Sequence, residues 1–190
     1  MRVELINYKD SWQAVKDATM TTIGKRTGRY PDSAWKWAIL KAEHSPIRLL
    51  TFQIRFTDIP YWVVMHFVRH KIGVEHFVST QRTDRTGTDR TSLPQDSLVN
   101  YEMVADAQAL INISRKRLCM CASPETRDAW MQVVKAIKEK EPELASCMVP
   151  ECVYRGHCSE INSCGYVDTP SWQMSLIAYR SGSGVFMKIK

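Results

Sequence analysis

Arg69, His70 and Lys71 are consecutive, and His66 precedes Arg69 and His70 by three and four positions. Seven residues separate Lys71 from Ser79, which opens the run Ser79-Thr80-Gln81-Arg82. The first group is cationic or titratable. The second offers hydroxyls, an amide and a guanidinium. A guanidinium donates two parallel hydrogen bonds and suits a phosphate, while Ser79 and Gln81 have the donors and acceptors to hold a base edge. Only Asp58 and Glu75 supply carboxylates within twelve residues of the Arg-His-Lys run before Asp84. A bound anion would supply the missing counter-charge. The simpler explanation is a helix end whose cations are favoured by the macrodipole, by about 0.3–1 kcal/mol each.

The surrounding elements decide how these groups are presented. Asp58 and Pro60 signal a helix start, and Trp62, Val63, Met65, Phe67 and Val68 carry an almost wholly apolar helix from Tyr61 to Ile72, stopped by Gly73. His66, Arg69 and His70 then share one face near its end. A strand follows from Val74 to Thr80, with His76 on the face of Val74 and Val78, and Ser79 on the face of Glu75 and Phe77. Before the helix, Ile47 to Thr57 alternates clearly. Leu50, Phe52, Ile54 and Phe56 form its buried face.

Elsewhere the chain reads as a short strand over residues 1–7, a helix from Asp10-Ser11 to about Thr22, and a helix capped by Asp32 or Ser33. Glu43-His44-Ser45-Pro46 reads as a loop. Residues 83–97 lose periodicity and carry two copies of Thr-Asp-Arg-Thr around Gly87, a loop whose aspartates can pair with its arginines. From Tyr101 to about Cys121, Met103, Val104, Ala107, Leu110, Ile111 and Leu118 recur at helical steps. Ser123-Pro124-Glu125 opens a further helix with Trp130, Val133, Val134 and Ile137 inward, and Ser171 to Tyr179 reads as a last one. The fold class is α/β (α+β), a mixed, largely antiparallel sheet with packed helices. One domain is expected over residues 1–146, with a Cys-rich appendage over 147–190 that is not independent.

With 190 residues, 44% hydrophobic composition and a net charge of +6, the chain can bury a real core and is not disordered. The sequence pI near 9.0 favours an anionic partner. No signal-like apolar run opens the chain and no stretch is long enough to span a membrane, so a cytoplasmic location is expected, in the host cytoplasm if phage-encoded. The six cysteines then read as thiols or metal ligands.

Arg-His-(Arg/Lys), seven residues, then Ser resembles the signature of flavin-dependent thymidylate synthases (ThyX). Glu43-His44-Ser45-Pro46, the Phe-rich strand, the proline-opened helix and the signature follow in that family's order, as do the Asn112 to Leu118 helix and the helix from Pro124. The resemblance covers roughly residues 1–140. It implies methylation of dUMP to dTMP with FAD as cofactor and methylenetetrahydrofolate and NADPH as co-substrates, in a homotetramer with shared sites. By the same resemblance, His44, Arg69, His70, Lys71, Ile72 and Asn112 would contact FAD. His66, Ser79, Thr80, Gln81 and Arg82 would line the dUMP site, and Arg115 or Arg117 would polarise the pyrimidine or meet its phosphate. Four positions depart from the family pattern. Lys71 stands where arginine is usual, His66 where glutamine is common, and Phe77 where glutamate is frequent. Arg82 lies one place later than the usual arginine, which requires a bulge or turn there.

Cys152, Cys158 and Cys164 are separated by five residues each time, with His157 nearby. They are zinc-ligand types without the short Cys-x2-Cys spacing, so reduced structural cysteines are the simpler expectation and zinc the alternative. Cys119 and Cys121 read as small apolar fillers. The segment 147–168 resembles an appendage of phage-type members of the family. Two other functions stay open. One is a relative that binds flavin and a pyrimidine nucleotide but performs another one-carbon transfer, such as hydroxymethylation, or none. The other is a basic or zinc-bearing nucleic-acid module, which lacks a recognised motif here.

Overall fold

Strands β1 (Arg2–Tyr8), β2 (Thr51–Pro60), β3 (Val74–Val78) and β4 (Leu98–Asp106) form an antiparallel sheet in the order β1-β2-β4-β3. These elements come from a computed structural model, which describes residues 1–182; the appendage expected over 147–190 therefore runs past the described residues. The expected fold class is borne out: an antiparallel sheet with helices packed on it.

β2 has the alternation read from its sequence. Leu50, Phe52, Ile54 and Phe56 are fully buried, while Thr51 and Arg55 are exposed. The strand begins later than expected, however. Ser45–Leu49 forms a 3-10 turn, because Pro46 fixes a helical φ in its first turn and Leu49 faces solvent. Asp58 takes φ +56, and the pairing with β4 slips between Phe56 and Ile59. This bulge ends the alternation and turns the chain into helix.

The largest correction concerns Tyr101 to Asp106. This stretch is β4 rather than the start of a helix. Met103, Val104 and Ala107 satisfy a helical step, but Val99, Tyr101, Met103 and Ala105 are buried at period two, and β4 is the strand that pairs with both β2 and β3. Helix begins only after Asp106, whose carboxylate accepts from the Ala109 amide at 2.7 Å as an N-cap.

The helices gather on the buried face of the sheet, some directly against it and the others behind them. They are α1 (Trp12–Thr21), α2 (Ser33–Lys41), α3 (Tyr61–Phe67), the short α4 (Thr83–Thr86), α5 (Ala107–Arg117), α6 (Pro124–Lys138) and α7 (Pro142–Cys147), with α4 set apart on the exposed loop. Asp32 caps α2 through the Trp35 amide, and Ser123 caps α6 through Thr126, both as the sequence indicates. Aromatic rings join sheet to helices. Phe56 stacks on Tyr101 at 5.1 Å, and Phe67 lies 5.5 Å from Trp130. Trp130 in turn donates its indole N–H to Ser114 at 2.8 Å. The sheet's other face carries Arg55, Glu102 and Phe77 and has no helix over it among the described residues.

α3 ends at Phe67, five residues before the expected Ile72. A longer helix would gain little, since Ile72 is 87% exposed, and the chain must reach Val74 to pair with Ala105. β3 likewise ends at Val78 rather than Thr80. After α7 come α8 (Glu151–Arg155), a 3-10 turn (Tyr166–Asp168) and α9 (Pro170–Ser181), gathered on a small second core of Val149, Val153 and Tyr179. Cys147 and Met148 belong to the main core. Among the described residues no helix is long and apolar enough to cross a membrane.

Candidate functional site

Because α3 stops early, Arg69, His70 and Lys71 lie in the link to β3 instead of on the helix. Gly73 closes that link at φ +71, and its carbonyl accepts from the Asp106 amide at 2.9 Å. A Cβ at Gly73 would run into the Asp106 carboxylate, so only glycine fits both the backbone and the space. Gly73→Ala is therefore expected to lower stability by about 2–3 kcal/mol. Urea unfolding followed by tryptophan fluorescence checks it; a loss within experimental error would show that the link can rearrange.

Arg117, at the end of α5, joins this link to α3. Its Nε donates to His70 Nε2 at 3.0 Å, and its terminal nitrogen donates to the His66 carbonyl at 2.6 Å. The first bond requires an unprotonated Nε2, so the His70 ring is neutral with its proton on Nδ1. Burial, then Arg117, His76 and Arg69, push His70 down to about 4. His66 is pushed down by burial and then by Arg117 and Arg69; its Nδ1 lies 2.9 Å from the Thr126 hydroxyl. The Arg117 guanidinium is itself lowered by burial and then by Arg69. None of the ion pairs among the described residues engages Arg69, Lys71 or Arg117. The site is thus positively charged, with neutral imidazoles beside cations that lack a carboxylate partner among those residues.

His76 and Tyr101 brace it from beneath. His76 Nε2 donates to the His70 carbonyl at 2.6 Å, leaving Nδ1 to accept from the Tyr101 hydroxyl at 2.7 Å. Burial raises the Tyr101 phenol, so it remains a donor. The sequence carried one sign of this bracket: a histidine on the apolar face of β3.

The depressed His70 gives a pH dependence with a definite sign. Between about 4 and the ordinary value of 6.5 the unfolded chain binds a proton that the native site does not. Stability is then full above 6.5 and falls as pH drops through this window. Melting temperatures of the wild type and His70→Gln, measured from about pH 7 to about pH 4, should converge toward low pH. Parallel profiles would contradict the assignment.

Arg115 is placed elsewhere. Two positions from Arg117, it projects from a different side of α5 and pairs with Glu43, bonds Asn112 at 3.1 Å and lies 3.6 Å over the Tyr154 ring. Gln108 donates to both Glu43 and Asn112, at 2.6 and 3.3 Å. Asn112 therefore belongs to this neutralised network, and His44 is exposed next to Glu43. The structure brings Arg117, rather than Arg115, to the histidines. Residue type alone does not mark Glu43, Tyr101 and Thr126 as site residues, because their partners lie 72, 25 and 60 positions away.

Ser79 extends the β3–β4 pairing. Its hydroxyl donates to the Asn100 carbonyl at 2.8 Å and accepts from the Asn100 amide at 3.0 Å. Ser79, Thr80 and Gln81 line a cleft of about 270 Å³ that also includes Asp58 and Leu98. A neighbouring groove of about 460 Å³ runs over the open sheet face past Phe77, Arg55 and Glu102 and shares Ser79 and Asn100 with it. Arg82 forms the required turn, as N-cap of α4, and its guanidinium is held by Asp84 at 2.7 and 3.0 Å. The expected local pairing of the loop's charges is thus seen at Arg82. Of the cysteine-region candidates, Cys152, Cys158 and Cys164 line one small pocket, whereas His157 is exposed and does not. Cys121 is also exposed, which does not suit an apolar filler.

No protein-family model and no curated protein sequence matches the chain. Solved structures do. A structure of flavin-dependent thymidylate synthase ThyX from Helicobacter pylori complexed with FAD and dUMP aligns with TM-score 0.65 and 11% identity, covering 78% of this chain and 100% of that one. A second Helicobacter pylori ThyX structure with FAD and dUMP gives TM-score 0.63 and 11% identity, over 78% and 99%. The UMP/dUMP methylase PolB from Streptomyces cacaoi, bound with 5-Br dUMP, gives TM-score 0.59 and 15% identity, over 77% and 93%. At these identities the likeness is one of architecture, and the chain has the ThyX-like fold.

Proposed function

We propose that the chain is a flavin-dependent enzyme that methylates dUMP to dTMP, with methylenetetrahydrofolate and NADPH as co-substrates. The observation that carries this reading is the cation cluster of Arg69, Lys71 and Arg117, unpaired among the described ion pairs and adjoined by neutral His66 and His70, on a fold shared with FAD- and dUMP-bound enzymes.

These residues fit an anionic cofactor. Arg69, Lys71 and Ile72 are exposed around a half-buried His70, and no acidic side chain among the described residues neutralises Arg69 or Lys71. When bound, FAD supplies the hydride and one-carbon chemistry of the transfer. The protein's part is binding and orientation. Arg69 and Lys71 would hold the cofactor phosphates, and by the family resemblance His44 and Asn112, which lie at the Glu43–Arg115 network, would contact the cofactor from there. Ser79, Thr80 and Gln81 present polar groups to the nucleotide at their cleft, and Arg82 is released from Asp84 to meet its phosphate. Arg117 stabilises negative charge that develops on the pyrimidine, from a half-buried position where that interaction is strong. His66 borders the nucleotide.

The family resemblance implies a homotetramer with shared sites, and the open sheet face is where a second copy would sit. Phe77 and Leu98 are 57% and 62% exposed beside the clefts, a placement suited to coverage by a second copy. Incubation with dUMP, methylenetetrahydrofolate and NADPH tests the reaction. The expected result is dUMP-dependent NADPH oxidation and a nucleotide product with the mass of dTMP. A hydroxymethylated product would replace this reaction with the related one-carbon transfer, and an unchanged nucleotide would remove both.

A further inference from the structure

Five of the six cysteines converge at one place outside the candidate active site. Cys119 and Cys121 lie in the turn between α5 and α6, Cys152 is on α8, and Cys158 and Cys164 are in the irregular segment that follows. Cys121 touches the thiols of Cys119 and Cys164, while Cys152 lies within electrostatic reach of Cys119, Cys158 and Cys164. Cys119, Cys152, Cys158 and Cys164 together line a pocket of about 20 Å³. A space of that size holds one water or one ion and nothing larger.

We propose that this pocket is a structural zinc site with four cysteine ligands, Cys119, Cys152, Cys158 and Cys164, and with Cys121 beside them. Four thiolates from separate chain segments around a single-ion cavity are the donor set and enclosure that tetrahedral zinc takes. The segment itself argues the need for it. Residues 157–164 form neither helix nor strand, lie between Gly156 at φ +82 and Gly165 at φ +76, and include Ile161 at 99% exposure. The nearby second core offers only Val149, Val153 and Tyr179 as fully packed apolar residues. A segment with so little burial is held in place by a staple or not at all. Its two cysteines line the pocket beside Ser159 and Glu160, and its other ties to the body are the weak contacts of Asn162 with Cys121 and of Glu160 with Lys116.

As the thiols stand, no three ligand side chains among the described residues have the mutual geometry of a bound ion. They are placed as free thiols around the pocket. A cysteine has one side-chain torsion, so staggered rotamers swing each sulfur toward or away from the pocket without moving the backbone. On binding, each ligand thiol gives its proton to solvent and forms a bond from sulfur to zinc; no electron is transferred. Glu151 and Glu160 also line the pocket, and Lys116 lies 3.9 Å from Glu160, where it offsets that carboxylate.

The test uses the full chain, purified reduced and without chelator. Its zinc content by mass spectrometry should be about one ion per chain. Cobalt(II) titrated into the zinc-stripped protein should give sulfur-to-metal charge-transfer absorption and the visible bands of a tetrahedral site. Cys158→Ser and Cys164→Ser should lose both signals, whereas Cys147→Ser should keep them. Absence of zinc together with absence of cobalt–thiolate absorption in the wild type would overturn the proposal, whatever the variants do. Finding the cluster as disulfides, each pair oxidised and lighter by two hydrogen atoms, in freshly prepared protein would also overturn it. Flavin absorbance is read in the same samples, so loss of the metal signal and failure of the proposed enzymatic function are distinguishable.

Discussion

Arg117→Ala is expected to lower dUMP-dependent kcat/KM by about 10²–10³-fold, the range found when one preorganised donor to developing charge is removed. The argument rests on placement. Arg117 is a half-buried cation with two hydrogen bonds to the α3–β3 link, at His70 Nε2 and the His66 carbonyl. It has no ion pair among the described residues, whereas Arg115 on the same helix is paired with Glu43 and stacked on Tyr154. A cation kept in a costly setting without a partner is available to a ligand; a neutralised one is not. The substitution also removes a brace, at a cost of about 1–2 kcal/mol. Arg117→Lys separates the two effects, since it keeps the charge and loses the fork. It should recover part of kcat while KM for dUMP stays raised. An Arg117→Ala enzyme with normal kcat/KM would remove Arg117 from the site.

The second large effect is on flavin. Arg69→Ala combined with Lys71→Ala should weaken FAD binding by about 10²-fold or more, since each charge-assisted contact contributes about 1.5–3 kcal/mol. Both side chains are exposed and make no ion pair among the described residues, so the melting temperature should hardly change. Quenching of FAD fluorescence on titration gives the affinity, and a melt of the apoprotein gives the control. Arg85→Ala, in the exposed loop after β3, should leave FAD affinity unchanged. Equal loss in Arg85→Ala would mean that general basicity, rather than the link, attracts the cofactor.

Local chemistry was legible in the sequence where it depends on neighbours in the chain. The alternation of Leu50, Phe52, Ile54 and Phe56, the Asp32 and Ser123 caps and the buried side of α6 all follow from period and capping. Tyr101 to Asp106 reads as helix in the sequence because Met103, Val104 and Ala107 fit a helical step as well as a strand. The second ladder that β4 must make, to β3, is not a local property. α3 ends earlier than its sequence suggests for a related reason: pairing of Val74 with Ala105 draws the chain away after Phe67.

The site divides the same way. Arg69, His70, Lys71 and Ser79 to Arg82 stand out by type and spacing. What binds them into one arrangement does not. The bond from Arg117 to His70 spans 47 residues, and that from Tyr101 to His76 spans 25. Arg115 and Arg117 are alike in the sequence, and folding separates them, Arg115 to Glu43 and Tyr154, Arg117 to His66 and His70. Cys119 likewise joins the later cysteines only through folding.

The central claim is that a positively charged link between α3 and β3 holds a flavin next to a nucleotide cleft. The visible absorption spectrum of the purified full chain tests it most directly, recorded alone, after addition of FAD, and during titration with dUMP. The account predicts bound-flavin absorbance that stays with the protein on gel filtration, a saturable spectral change on adding dUMP, and loss of that change in Arg117→Ala. A colourless protein that fails to retain added FAD and shows no response to dUMP would contradict it.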